Sequence, residues 1–436
     1  MATTTTLLAV AGHGVHLKPN ANNTIYSFKP AASSSATPRD AFRPIMKWRC
    51  RSSAAMMTTA GTMSVMVKSE KKKKYKDDDE ELLSYLSPEK LEVLAHLEPW
   101  AEAHILPLLK PAESAWQPSD FLPDPAALGG EGFHAACRDL RARAAAVPDA
   151  LLVCLVGNMV TEEALPTYQS VPNRFEAVRD LTGADATAWA RWIRGWSAEE
   201  NRHGDVLSRY MFLSGRVDMR QVDRTVHQLI AAGMDISGGS GGAAAAARSP
   251  YHGFVYVAFQ ERATAIAHGN TARGAGDHGD AALARVCGAI VADEKRHEAA
   301  YTRVVGKIFE ADPDAAVRAL GYMMRRRITM PAALMADGRD GDLYAHYSAV
   351  AQQAGVYTAS DYRGILEHLI RQWRVEELAA GLSGEGRRAR DYVCGLPEKI
   401  RRMEEKAHDR AAQARKKPTS IPFSWIFDRP VSVVLP

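Results

Sequence analysis

The chain has 436 residues, 46% hydrophobic and 24% charged, the balance of a soluble globular protein with a large core rather than a disordered polymer. Its five cysteines include no C-x-x-C pair, which argues against a disulfide framework and a zinc–cysteine site and suits a reducing compartment. The net charge of +4 is unevenly spread. Residues 1–69 hold eight Lys/Arg and one Asp, so the remainder is net negative.

In chain order, residues 1–69 are basic, rich in Ser, Thr, Ala and Met, and poor in acids. That is the composition of an organelle transit peptide; a merely disordered leader is the plainer reading. The start, MATTTTLLAV, lacks the arginine-rich amphipathic opening of a mitochondrial presequence, which favours plastid import. The run KKKKYKDDDEE at 71–81 is a solvated bridge. Residues 70–436 then read as one all-α domain. Apolar residues recur at helical spacing over Leu151–Tyr168, Thr187–Leu213, Gln221–Met234, Tyr251–Gly269, Ala281–Phe309, Ala315–Met330 and Ala359–Leu382. The stretch GGSGGAAAAA at 238–247 reads as a flexible loop. Residues 418–436, rich in Pro and aromatics, read as an extended tail packed on the surface. No run approaches the 18 apolar residues of a membrane span.

Glu-x-x-His occurs four times: Glu131/His134, Glu200/His203, Glu294/His297 and Glu405/His408. Positions i, i+3 and i±7 share a helix face. Around Glu200 that face carries Ile193, Trp196 and Leu207; around Glu294 it carries Cys287, Ile290 and Tyr301. Both pairs therefore face a core. Glu405 sits among Glu398, Arg401 and Ala412, and Glu131 among Asp124, Ala127 and Arg138, so neither has an apolar stripe. A buried carboxylate is costly unless it is paired or binds a metal. Di-iron carboxylate bundles take Glu-x-x-His from two helices and a lone Glu from each of two others. Glu162 and Glu261 both lie in apolar stripes, between Leu155 and Leu165 and between Phe254 and Thr264. Four Glu and two His favour iron or manganese. The doublets Glu162–Glu163 and Glu199–Glu200 each leave one acid as a candidate surface residue.

TEEALPTYQ (161–169), WSAEENRHGD (196–205), FQERAT (259–264), HGNTAR (268–273), ADEKRHE (292–298) and FSWIFDR (423–429) resemble plant plastid acyl-carrier-protein desaturases, from about residue 80 onward. The resemblance implies a ferritin-like di-iron bundle with additional helices. Its two Fe ions would be held by Glu162, Glu200, His203, Glu261, Glu294 and His297. It also implies a stromal homodimer, not inserted in membrane and not binding nucleic acid. Such an enzyme desaturates an acyl chain on acyl carrier protein, using O2 and electrons from ferredoxin. Thr264 would bond an oxygen intermediate, or merely pack. Asp293 would orient a ligand histidine, and Trp116 would deliver electrons. Basic clusters at Arg325–Arg327, Arg387/Arg388/Arg390 and Lys399/Arg401/Arg402 would steer the acidic partners, or simply coat solvated helices.

One stretch departs from the family. SVPNRF (170–175) stands where stearoyl-type members run roughly T-M-L-N-T-L. The acyl cleft implied by the family takes in Val171, Arg174, Phe175 and Gly253. Arg174 and Phe175 would shorten or re-aim it, unless Arg174 points to solvent; Ala345, where an acid is usual, tends the same way. Stearoyl or palmitoyl is the expected chain, with Δ9 or altered regiospecificity. A di-iron hydroxylase or oxidase would use the same ligands. An iron-storage ferritin would be far shorter, and an inactive carrier-binding module would have lost a ligand.

Overall fold

The computed structural model describes residues 88–234, 249–414 and 418–435. The expected transit segment and the 238–247 loop lie outside the described residues. The described helices are α1 (Pro88–His104), α2 (Pro125–Ala144), α3 (Asp149–Glu162), α4 (Leu165–Ser170), α5 (Ala188–Ser214), α6 (Met219–Ala232), α7 (Pro250–Asp277), α8 (Ala281–Ala311), α9 (Pro313–Arg326), α10 (Leu343–Gln353), α11 (Ala359–Gln372) and α12 (Gly384–Ala414). Two strands follow, β1 (Thr419–Phe423) and β2 (Arg429–Val433). One hydrophobic core runs from Leu94 to Val433.

Local chemistry sets the four central helices. Thr187 caps α5, its hydroxyl accepting from Ala190 N, and Gly215 ends α5 at φ +67°, where a side chain would be strained. α7 opens with Pro250 in its first turn, where a missing N–H costs nothing. Asp280 caps α8 through Leu283 N at 2.9 Å and also accepts from Tyr210 at 2.6 Å. Only His278–Asp280 separate α7 from α8, so the two pack as an antiparallel pair. α3 packs on α5 and α7, and α8 on α5 and α7, which closes a four-helix ring.

The helix expected over Leu151–Tyr168 is two. α3 stops at Glu162 and α4 begins at Leu165, because Pro166 has no N–H to give the carbonyl of Glu162. Pro172 opens a 3₁₀ turn, Pro172–Arg174, so SVPNRF leaves the helical path. The helix expected from Tyr251 runs on to Asp277, well past Gly269. The segment expected as helix over Ala359–Leu382 breaks after Gln372, with Arg374 at φ 50°. α1, α2, α10 and α12 lie outside the helices expected from the sequence.

The C-terminus corrects the expectation of an extended surface tail. It is an antiparallel hairpin, with Ile421 opposite Val431. Its turn buries Trp425 completely. The Trp425 indole donates to Thr225 Oγ1 at 2.9 Å, and its carbonyl accepts from Asp218 N at 2.7 Å. A short alternating segment has too weak a signal beside Pro and aromatics to show this pairing. Residues 149–174 are also long and apolar enough to cross a membrane, contrary to the expectation, but 78% of that apolar window is buried inside the fold, as in a core helix.

Candidate metal centre

α3, α5, α7 and α8 send Glu162, Glu200 with His203, Glu261, and Glu294 with His297 into the centre of the ring, and all six are buried. They form two groups. Atoms of Glu162, Glu200, His203 and Glu294 lie within 4.8 Å of one another, as do atoms of Glu200, Glu261, Glu294 and His297. Glu200 and Glu294 belong to both. His203 Nδ1 is 3.1 Å from Glu200 Oε2 and 3.2 Å from Glu294 Oε1. His297 Nδ1 is 2.8 Å from Glu200 Oε1.

These atoms converge without satisfying one another. Glu200 Oε1, Glu261 Oε2, Glu294 Oε1 and His297 Nδ1 are buried with no hydrogen-bond partner. Buried carboxylates and lone pairs aimed at a common point are costly unless a cation takes them. The electrostatics agree. Burial works against charge on His203 and His297, yet the carboxylates around them raise both well above the ordinary histidine value. Burial, with Glu200 beside it, pushes Glu261 well above the carboxylate range. Burial also raises Glu162, but bonds from His203 and His268 more than offset it and leave it lowered. The residues therefore fit metal ions: carboxylate oxygens and imidazole nitrogens, with no thiolate in either group.

The outer nitrogens of the two histidines are held crosswise. His203 Nε2 meets Asp293 Oδ2 at 3.4 Å, and His297 Nε2 meets Glu199 Oε2 at 2.9 Å. Each acid lies on the other histidine's helix. Arg296 bridges them, donating to Glu199 Oε2 at 2.8 Å and to Asp293 Oδ1 at 2.5 Å. Burial opposes ionisation of Glu199, but His297 and Arg296 overcome it and hold it at about 2. Asp293 is likewise held far below its usual range by His203 and Arg296, against its burial. Glu199 corrects the surface-acid reading of the doublet: it is 3% exposed and also accepts from Lys110 N at 2.7 Å. Its signal was the repeated pattern of acid, Glu, two residues, His. Glu163 is only partly buried. Trp116 donates to Asp293 Oδ2 at 2.9 Å and stacks on His203 at 6.0 Å and 11°. Arg202 covers its ring at 5.2 Å.

On the other side, an apolar cavity of about 90 Å³ ends on Glu162, Glu200, Glu261, Thr264 and Glu294. Thr264 donates to Glu294 Oε2 at 2.6 Å. Val171, Pro172, Phe175, Gly253 and Phe254 are in the wall. A Cβ on Gly253 would lie 2.5 Å from Phe175 Cε2, so the missing side chain makes room for the Phe175 ring. Arg174 is exposed and not in the wall, and Ala345 is also outside it. The expectation that Arg174 narrows the cleft is therefore corrected: the Pro172 turn carries it to solvent.

Glu131 and His134 are exposed, as is Glu405; the side chain of His408 lies outside the described residues. Many of the basic clusters are committed internally. Arg325 and Arg326 lie over Tyr392 and Tyr322, and Arg401 and Arg402 bind Glu398.

A helical ring that sets two buried Glu/His groups able to hold metal ions beneath an apolar cavity suits an enzyme acting on an apolar substrate. The chain belongs to the fatty acid desaturase family, whose model matches residues 89–427. It is 77% identical over 82% of its length to acyl-[acyl-carrier-protein] desaturase 7, chloroplastic, of Oryza sativa subsp. indica, covering 86% of that protein. It is 62% identical over the full length of both chains to acyl-[acyl-carrier-protein] desaturase 6, chloroplastic, of the same subspecies. It is 55% identical to stearoyl-[acyl-carrier-protein] 9-desaturase 2, chloroplastic, of Arabidopsis thaliana, over 80% of this chain and 82% of that one.

Proposed function

We propose that this protein is a plastid acyl-[acyl-carrier-protein] desaturase. It would use O2 and electrons from ferredoxin to place a cis double bond in a saturated acyl chain. The single observation that carries the reading is the pair of interlocking Glu/His groups at the floor of the apolar cavity, in a member of this family.

Two iron ions would be held by Glu162, Glu200, His203 and Glu294 and by Glu200, Glu261, Glu294 and His297, with Glu200 and Glu294 shared. When bound, they supply the oxidising power needed to take hydrogen from an unactivated methylene, which no acid–base side chain provides. The protein's own residues do the rest. The cavity wall takes the acyl chain out of water and lays it against the floor. Thr264 holds a proton at the floor, on the hydroxyl that now donates to Glu294. Asp293 and Glu199 keep the Nε2–H of His203 and His297, leaving each Nδ1 lone pair for metal. Trp116, between the protein's outer layer and Asp293, gives electrons a route inward. The acyl carrier protein stays outside and presents the chain, steered by whatever basic charge α12 leaves unpaired. The chain works in the stroma as a homodimer, after removal of a transit segment within residues 1–69.

Phe175 bears on chain length. Its ring is seated over Gly253 and takes up space in the cavity wall, which favours chains shorter than stearoyl. The test is to load the protein with iron, count the metal, and incubate it with 14:0-, 16:0- and 18:0-acyl carrier protein, reduced ferredoxin and O2. Two irons per chain and a mono-unsaturated product support the reading. A well-folded protein that takes up no iron overturns it.

A further inference from the structure

Glu162 and Glu261 hold matching places: each is the one carboxylate its helix sends into the centre. Their surroundings do not match. Glu162 Oε1 is bound by His268 Nε2 at 2.9 Å. His268 lies on α7, two turns beyond Glu261, and is 1% exposed. A carboxylate only accepts, so the hydrogen bond requires the proton on Nε2. Nδ1 of His268 has no partner among the described residues, so the Glu162 bond is the one hydrogen bond this ring makes there. Glu261 has no such anchor among the described residues. Its Oε2 is unpartnered and 3.5 Å from His297 Nδ1. Thr264, one turn away, gives its hydroxyl to Glu294 instead.

We propose that His268 is a positioning residue that locks Glu162, so that the metal position bounded by Glu162 and His203 is preformed and fills first. The position bounded by Glu261 and His297 fills second. The inference rests on the metal-centre reading above. Its physical basis is general: a ligand already held by an outer hydrogen bond gives up less freedom on binding, and losing such a partner costs about 10–100-fold in metal affinity.

The metal-free protein is titrated with Co2+, following heat and visible absorption. The wild type should take up two ions, the first about 10-fold tighter or more. Glu261→Gln should keep the tight step and lose the weak one, and Glu162→Gln should do the reverse. His268→Gln, whose amide nitrogen reaches the same carboxylate, should keep the first step within a few-fold. His268→Leu, similar in size but with no donor, should weaken it about 10–100-fold. Circular dichroism of both variants confirms the fold. Equal first steps in the Gln and Leu variants overturn the proposal, as does loss of the tight step in Glu261→Gln. A wild type that binds no Co2+ instead overturns the metal-centre reading itself.

Discussion

The two sides of the centre flank one helical ring and have opposite character. One is an apolar cavity walled by Phe175, Trp189, Phe254 and their neighbours. The other is a charged lattice of Glu199, Asp293, Arg296 and Trp116. Neighbouring residues on a helix point about 100° apart, so one residue step separates the sides. Glu200 and Glu294 enter the centre, while Glu199 and Asp293, one position earlier, turn back to brace the opposite histidine. Under the proposed function the difference is a division of labour: the lattice would fix the ligands and carry charge, and the cavity would select and dry the substrate.

The largest effect should come from breaking what the sides share. Glu200→Ala or Glu294→Ala removes a carboxylate common to both groups. Metal uptake should fall below two ions per chain and desaturation to background, a larger loss than the 10–100-fold expected for an outer partner. Metal analysis and product chromatography read both.

Next come the outer acids. Glu199→Gln and Asp293→Asn should each weaken metal binding about 10–100-fold. The crossed brace is symmetric for metal but not for electrons, because only Asp293 carries Trp116. Stopped-flow reduction by ferredoxin should therefore slow much more in Asp293→Asn than in Glu199→Gln. Equal slowing would remove Trp116 from the route.

The lattice and cavity were unequally legible in the sequence. The six inward residues were readable because an acid in an apolar helical stripe is a conspicuous cost. Asp293 and Glu199 share the place just before each inward Glu-x-x-His, but that pattern alone does not show that the other helix's histidine covers them, so Glu199 passed for a surface acid. His268 stands in HGNTAR with no visible role for the same reason. The cavity depended on Pro172. Its helix-breaking effect was foreseeable, but its consequence, Phe175 inward and Arg174 outward, depends on where the 3₁₀ turn leaves each side chain. The buried hairpin was hidden because Trp425 finds its partner Thr225 200 residues away.

On the cavity side, Gly253→Ala sets a Cβ against the Phe175 ring. Overpacking of this kind costs about 1–3 kcal/mol and should further shorten the preferred acyl chain. Phe175→Leu should shift preference toward longer chains and restore stability in the double variant. Thermal melts and a panel of acyl chain lengths measure the two effects. Neither variant should change metal affinity, and a change there would mean the sides are not separable.

The smallest effect tests a region that serves neither side. Asp149, at the start of α3, binds Arg216 Nη2 at 2.8 Å and Arg429 Nε and Nη2 at 2.9 Å, tying the C-terminal hairpin to the helices. Burial raises its carboxyl, but the two arginines outweigh burial and hold it below the ordinary 3.8. A group whose folded pKa is depressed stabilises fully above its unfolded pKa and loses that contribution as pH falls through the folded one. Asp149→Asn should therefore cost about 1–2 kcal/mol at neutral pH, at the low end for charge-assisted bonds because the site is partly exposed. The gap between wild type and variant should stay flat down to about pH 4 and close below it. Denaturation of the metal-free proteins at stepped pH gives the curve. Because Asp149 lies at the opposite end of α3 from Glu162, Co2+ binding at neutral pH should be unchanged. A gap that widens on acidification would reverse the sign and show that burial, not the two arginines, governs this carboxyl.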